Sequence, residues 1–277
     1  MVYIILPVHD RLYKSLEFVD CLLSQTIQNY HLLLIDDGSV DETVSKLSEI
    51  LLNKITIISG KGNWWWGGSL HQGYKWIVNC KSTTPNDYIL IMNNDTTFEP
   101  NFIEQGILEI DKYDQALLTA YAYNQKTLEL IDKGTHVDWD KFQFKAVENE
   151  HDINCLSTRG LIMNLMTFKT LGGFHPILLP HYLSDYEYTI RAYQKGYKLL
   201  SSPNFKLFVD ETTTGIDTPD KGGFIKRLKS MFSKRYKANP IYHISFILLT
   251  SPRKFKNLKL IFIDHVIKAK HYLLNKR

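Results

Sequence analysis

Short apolar runs at Val2–Leu6, His31–Asp36, Lys54–Ile58 and Tyr88–Met92 punctuate the first hundred residues. Runs of four to eight apolar residues suit strands buried on both faces of a parallel sheet. Between them the spacing becomes helical. Leu12, Leu16, Val19 and Leu23 share one face over Leu12–Ser24; Val44, Leu47 and Leu51 do so over Asp41–Leu52; Leu70, Tyr74 and Ile77 do so over Gly67–Asn79. Strands alternating with helices of this length predict βαβ units with right-handed crossovers. Ser39 and Glu42 have the spacing of a capping box for the second helix.

The pattern loosens after residue 100. Pro100–Asp111 reads as a helix and Leu117–Tyr123 as a strand. Residues 124–152 are polar and aromatic without a period, which fits a hairpin or an excursion over the active face. Ser184–Lys195 reads as a helix, with Ser184 and Glu187 as a second capping box and Gly196 as its stop. Gly215, Pro219, Gly222 and Gly223 mark a linker. Basic amphipathic segments follow at Phe224–Tyr236, Ile241–Thr250 and Phe255–Leu274.

A chain of 277 residues holds one large domain or two small ones, and its 44% hydrophobic and 22% charged content excludes a disordered chain. The three cysteines, Cys21, Cys80 and Cys155, are far apart and odd in number, which argues against a disulfide framework or zinc knuckle and for a reducing compartment. No signal peptide and no transmembrane helix is expected. The net charge of +4 conceals an asymmetry: residues 221–277 hold 15 Lys/Arg and one acid, whereas residues 1–220 hold 18 Lys/Arg and 28 acids. An acidic body and a basic tail predict different partners.

In open α/β sheets, ligands bind beyond the carboxyl ends of the strands. Here those ends carry Pro7-Val8-His9-Asp10, Asp36-Asp37-Gly38-Ser39 and Asn93-Asn94-Asp95. Neither a P-loop nor a G-x-G-x-x-G follows the first strand, which disfavours P-loop NTPases and dinucleotide enzymes. Carboxylates that face a phosphate need a divalent cation between them. Asp95 and the amide oxygens of Asn93 or Asn94 suit Mg²⁺ or Mn²⁺. The same tripeptide also suits a plain turn.

Together, Ile4–Asp10, the stretch from Leu34 to Thr43, Ile91–Asp95 and Ser184–Ala192 resemble the family 2 glycosyltransferases of the GT-A fold. The resemblance spans residues 2–212. It implies an α/β fold, a mostly parallel sheet flanked by helices, over residues 1–218, with residues 219–277 a basic helical addition. The stretch Gly62-Asn63-Trp64-Trp65-Trp66-Gly67-Gly68-Ser69 looks like a bacterial subgroup that builds surface polysaccharides, rhamnosyltransferase-like members included. The implied reaction moves a sugar from a nucleotide donor to an acceptor hydroxyl with inversion.

The resemblance also implies roles. Asp36 and Asp37 match an acidic pair that contacts the nucleoside; Pro7, Val8 and Asp10 match the loop bordering the base. Asn93-Asn94-Asp95 occupies the D-x-D metal motif, with Asn in place of the first acid, so Asp95 is the main ligand. Asp185 matches the catalytic base, and Ser184 replaces the acid before it. Asp210 and Glu211 stand where a further metal ligand often occurs. A first-turn acid is favoured by the helix dipole, so Asp185 is expected to stay ionised; the dipole alone also accounts for an acid there.

Aromatic faces stack on sugars, which assigns Trp65 to the donor and Trp64 to the acceptor, with Gly68 allowing close approach; core filling is the competing reading. His71 is within reach of the diphosphate or is a plain solvated histidine. His181 and Tyr182 are expected at the acceptor site. Arg159 and Arg191 oppose phosphate charge, unless Arg191 merely pairs with Glu187.

The expected partners are a nucleotide-sugar donor and a glycan or lipid-linked glycan acceptor. Residues 221–277 are expected on an anionic membrane surface, placing the enzyme in the cytoplasm, peripheral on the inner face of the membrane; packing on the body or in a homo-oligomer is the alternative. Nucleic acid is not expected. The rival enzyme, a sugar-nucleotide pyrophosphorylase, needs a glycine-rich basic loop that Pro7–Asp10 lacks. A binding protein acting through its basic tail would leave the acidic strand ends unexplained.

Overall fold

In the computed structural model the described residues are 1–210, 230–234, 236, 237 and 239–274, with side chains described to residue 267. The apolar runs become β1 (Val2–Val8), β2 (Tyr30–Asp36), β3 (Ile55–Ser59) and β4 (Tyr88–Ile91), all mutually parallel. Alternate residues serve opposite faces. Ile4, Leu6, Leu32 and Leu34 pack with α1 (Leu12–Leu23), α2 (Thr43–Leu51) and α4 (Phe102–Ile110). Tyr3, Ile5, Leu33 and Ile35 pack with α3 (Trp65–Asn79), α5 (Leu165–Leu171) and α6 (Ser184–Gln194). Burial on both faces is why β1, β2 and β4 read as unbroken apolar runs rather than alternating ones; β3, expected to be buried likewise, is only half-buried because it is the edge strand, with β2 on one side alone.

The remaining strands are β5 (Thr96–Thr97), β6 (Ala116–Asn124), β7 (Leu130–Asp132), β8 (Thr135–Asp138), β9 (Gln143–Ala146), β10 (Leu161–Asn164) and β11 (Lys198–Val209). The main sheet runs β3-β2-β1-β4-β10-β6-β11-β5, with β7 beside β6. β10 is antiparallel to both β4 and β6, and β11 is parallel to β6. The carboxyl ends of β1, β2, β4, β6 and β11 therefore share one edge, and Arg159, just before β10, enters from that same edge. Pro7 is tolerated near the centre because β1 pairs with β4 only from Val2 to Ile5. Beyond Ile5 its missing N–H leaves no ladder bond unmade.

Neither capping box forms. α2 starts at Thr43, where Asp41 Oδ1 accepts the Thr43 N–H at 3.0 Å. Ser39 instead ties two loops, accepting from the Asp10 N–H at 2.7 Å. At α6 the cap position falls on Leu183, in the left-handed region at φ 66. Ser184 Oγ donates back to the His181 carbonyl at 2.7 Å, and Glu187 is claimed by Arg191 Nε at 2.8 Å. Gly196, at φ 88, does end α6.

Residues 124–152 contain the β8–β9 hairpin, paired from Thr135↔Ala146 to Asp138↔Gln143. Against it sit α7 (Pro240–Thr250) and α8 (Lys254–Leu274). Asn239 caps α7, accepting the Ile241 N–H at 2.9 Å, with Pro240 opening the helix. Phe246 is fully buried among Trp139, Phe142 and Phe144. Arg253 and Lys256 reach Asp140 at 3.0 and 2.8 Å. Glu211, the linker at 215–223 and most of Phe224–Tyr236 lie outside the described residues. Among the described residues no helix is long and apolar enough to cross a membrane.

Candidate active site

The strand ends carry one part of the site and the start of α6 another. Pro7 and Val8 are buried in β1, and Val8 C=O accepts the Asp37 N–H at 2.9 Å. Asp10, at φ 56, accepts the Val40 N–H at 2.8 Å and so pins the first loop to the second. Asp36 is 5% exposed and its Oδ1 accepts the Ser39 N–H at 2.9 Å.

Asp37 does something the family resemblance did not imply. Its Oδ1 accepts from Gly62 and Asn63, both at 3.0 Å, and its Oδ2 from Trp64 at 2.9 Å and Trp65 at 2.8 Å. Four backbone N–H groups occupy this carboxylate, so it organises the tryptophan loop and is not open to a nucleoside. The loop divides its rings. Trp64 and Trp66 pack against the apolar core on the α3 side of the sheet. Trp65 takes a left-handed backbone at φ 60 and lies 5.4 Å from the His181 ring, which lies 4.2 Å from that of Tyr182. The tryptophan ring joined to the proposed acceptor residues is thus Trp65, not Trp64.

The adjoining glycines approach protein rather than ligand. A Cβ on Gly67 would sit 2.5 Å from the Leu179 carbonyl, and Gly68 is buried between Trp64 and Pro176. His71 lies against Gly173 and stacks on Tyr74 at 6.0 Å, and burial lowers its pKa.

At the end of β4 the three residues diverge. Asn94 donates to Ser15 Oγ at 3.0 Å inside the core, which removes its amide from the cleft. Asp95 is 7% exposed, with Arg11 Nη1 3.9 Å from its Oδ2. Asn93 Oδ1 is buried with no hydrogen-bond donor among the described residues. Asp210 is brought beside them, its N–H donating to the Asp95 carbonyl at 3.2 Å, but Lys14 Nζ holds its carboxylate at 2.9 Å. Asp210 is therefore a lysine partner, not an open ligand. Among the described residues no group of three His, Cys, Asp or Glu is placed to hold a metal. One carboxylate with an orphaned amide oxygen fits a hard cation that takes its other ligands from a substrate's phosphates.

Asp185 opens the second half. It follows Leu183-Ser184 at the start of α6, where the Tyr186 N–H and the Arg159 charge favour its ionised form. Burial outweighs both and raises its pKa to about 6. Desolvation is the larger effect, so Asp185 is less acidic than the helix dipole alone would make it, yet still ionised at neutral pH. Arg159 Nε is itself buried without a hydrogen-bond acceptor among the described residues. Arg191 is structural: besides Glu187 it donates to the Leu171 carbonyl and, at 2.9 Å, to that of Gly173, holding the 171–175 loop.

Asp185 lines a cavity of about 610 Å³ together with Tyr182 and Tyr186. Its other walls are Lys141 and Phe144 of the hairpin region and Lys237, His243 and Asp264 of the C-terminal segments. None of these last five stood out in the sequence. The aperiodic aromatic composition of residues 124–152, which predicted an excursion over the active face, was the only signal.

Sequence comparison matches residues 3–165 to the family described as Glycosyl transferase family 2. An uncharacterized glycosyltransferase of Haemophilus influenzae is 34% identical over 100 residues, 35% of this chain and 29% of that one. One from Rickettsia prowazekii is 31% identical over 136 residues, 49% of this chain and 39% of that one. Glycosyltransferase GlyG of Streptococcus pneumoniae is 23% identical over 126 residues, 45% of this chain and 40% of that one. The chain thus spans well under half the length of these relatives. Among solved structures, GalNAc-T7 with UDP, GalNAc and Mn²⁺ superposes with a TM-score of 0.64 at 15% identity, over 99% of this chain and 59% of that one. Staphylococcus aureus TarS 1–349 in complex with UDP-GlcNAc gives 0.61 at 13%, over 97% and 72%. At such identities the likeness is one of fold, the GT-A fold.

Proposed function

The chain belongs to glycosyl transferase family 2, and on that premise we propose that it is an inverting glycosyltransferase using a nucleotide-diphosphate sugar. The observation that carries this reading is Asp185, a carboxylate with a pKa of about 6 at the start of α6 on the wall of a cavity of about 610 Å³, room for more than one sugar ring. The nucleoside lies along Pro7, Val8, Asp10 and Asp36. Asp95 and Asn93 Oδ1 face the diphosphate and would hold a divalent cation, Mn²⁺ or Mg²⁺. Such a cation offsets negative charge on the leaving nucleotide when bound. Solved neighbours carry Mn²⁺ with UDP or with GDP-Man, which supports both the donor class and the ion.

The acceptor occupies the Asp185 cavity. Asp185 takes the proton of the attacking hydroxyl, whose oxygen then bonds to the anomeric carbon from the side opposite the diphosphate. Arg159 steadies the carboxylate and, through its unmatched Nε, is available to donor or acceptor oxygens. Trp65, His181 and Tyr182 form an aromatic wall on which the sugar ring stacks. The acceptor belongs to bacterial surface-polysaccharide synthesis, and the enzyme works in the cytoplasm at the inner face of the membrane. Ile241, Ile244 and Leu248 of α7 and Phe262, Ile263, Val266 and Ile267 of α8 are exposed, beside the tail's basic residues. Apolar side chains set among Lys and Arg suit an anionic lipid surface.

Calorimetric titration of UDP and GDP with and without Mn²⁺, followed by hydrolysis of a nucleotide-sugar panel, tests the reading. Binding of one nucleotide that weakens with EDTA and in Asp95→Ala is expected. No binding of either nucleotide in any condition overturns it.

A further inference from the structure

We propose that Gly67, at the start of α3, is the positioning residue for Asp185: it fixes where the chain enters α6 and so where the base stands. The inference rests on the reading of Asp185 as the base. Gly67 N–H donates to the Pro180 carbonyl at 2.8 Å. A Cβ on Gly67 would sit 2.5 Å from the Leu179 carbonyl and 2.8 Å from Ser184 Cβ. Both distances are well inside ordinary contact, and the nearer atom is backbone. No side chain therefore fits at this position unless residues 179–184 move, and the last of them directly precedes Asp185. Leu179 and Ser184 are buried, so that movement requires the segment to repack. Gly73, further along α3, differs: a Cβ there would meet only the Ile5 side chain, at 2.8 Å, which is helix-on-sheet packing.

The residues beside Gly67 bear on the rest of the surroundings of Asp185. The Trp65 ring lies 5.4 Å from that of His181, whose carbonyl accepts from Ser184 Oγ at 2.7 Å. Trp66 Nε1 donates to Thr158 Oγ1 at 3.3 Å, and Thr158 precedes Arg159, whose charge favours the ionised Asp185. Three consecutive residues thus touch the chain on two sides of the carboxylate. Their own position is set from β2. Asp37 binds the N–H groups of residues 62–65, ending two residues before Gly67. The strand end that carries Asp36 is in this way joined to the base through short hydrogen bonds and a backbone contact. Catalysis makes that linkage consequential, because a reacting group misplaced by about 1 Å loses on the order of 10²-fold in rate.

The test follows the Asp185 carboxyl itself, by carbon NMR of the full chain carrying isotope-labelled aspartate. The signal absent from Asp185→Asn belongs to Asp185. Its midpoint, about 6 in the parent, should fall toward 3.8 in Gly67→Ala, because the displaced segment admits water to the carboxylate. Gly73→Ala should lose stability yet keep the parental midpoint. Asp37→Asn, isosteric and remote in sequence, should lower the midpoint by loosening the start of α3; Asp36→Asn removes a charge one residue away and should not. Where the parent hydrolyses a nucleotide sugar, Gly67→Ala should lower kcat by roughly 10–100-fold with KM unchanged. A parental midpoint in both Gly67→Ala and Asp37→Asn overturns the inference. Equal shifts in Gly73→Ala, or in Asp36→Asn, overturn it too, since the cause is then general loosening or lost charge. If Gly67→Ala does not fold, Asp37→Asn against Asp36→Asn decides. Hydrolysis undiminished in Asp185→Asn overturns the reading of the base instead, and the titration, which needs no substrate, still judges what holds Asp185 in place.

Discussion

Asp185 sits under opposed influences, and the balance sets its chemistry. The helix start and Arg159 favour the anion, whereas burial favours the neutral acid and prevails, giving a pKa of about 6. A base must be ionised to accept a proton, so kcat/KM should fall about tenfold per pH unit below pH 6. A pH–rate profile checks this, and a profile flat down to pH 5 removes Asp185 from the proton transfer. Asp185→Asn should lower transfer by about 10²–10⁴ with nucleotide binding retained. Its stability should move the other way. A carboxyl whose folded pKa is raised above the ordinary 3.8 contributes stability below that value and loses it as pH rises through about 6. At pH 8 the ionised carboxylate costs the fold about 2–3 kcal/mol. Asp185→Asn should then melt a few degrees higher than the parent at pH 8, and no higher at pH 3.5. Lower activity with a higher melting temperature distinguishes a buried base from a residue that merely supports the helix.

At the scale of elements, the tryptophan loop hangs from one carboxylate. The four N–H groups bound by Asp37 span residues 62–65 and include Trp65, whose φ of 60 is unfavourable for a bulky residue. Removing the acceptor leaves those donors unmatched and the strained residue unsupported. Asp37→Ala should cost about 2–4 kcal/mol in urea unfolding and shift the tryptophan emission. A variant with parental stability would contradict this role. Sequence spacing placed Asp37 at the correct strand end, yet which partner a carboxylate takes depends on what the fold brings to it. The same holds for Ser39 and Ser184: each carries the signature of a helix cap, and each is used by a neighbouring loop.

Across the whole molecule, the tail serves the body on one side and presents an apolar surface on the other. Phe246 fills the space between hairpin and α7, while Phe255, Phe262 and Ile267 are more than half exposed. The proposed membrane contact therefore belongs to the outer face alone. Replacing Phe262, Ile263 and Ile267 together by Ser should reduce co-sedimentation with anionic liposomes severalfold, at unchanged binding of whichever nucleotide the parent takes up. These side chains contact lipid in the proposal, and each buried methylene is worth about 0.8 kcal/mol. Equal sedimentation of the triple variant and the parent would sink the contact.

The sequence by itself determined the parts of this protein governed by local periodicity. Short apolar runs alternating with helical spacing suit the strands of a parallel sheet, so β1 to β4 and the polar edge carrying Asp10, Asp36 and Asp95 were legible in them. Gly196 ended its helix as predicted because no neighbour competes for a left-handed glycine. Tertiary structure decided everything that depends on competition. Asp37 went to backbone donors 25 to 28 residues away, Asn94 to Ser15, and Asp210 to Lys14. Burial overruled the helix dipole at Asp185. The cavity wall joins residues from 141 to 264, whose meeting is set by the docking of α7 on a hairpin that has no period of its own. Partners so far apart in the chain are chosen by packing and desolvation, which act only once the chain has folded.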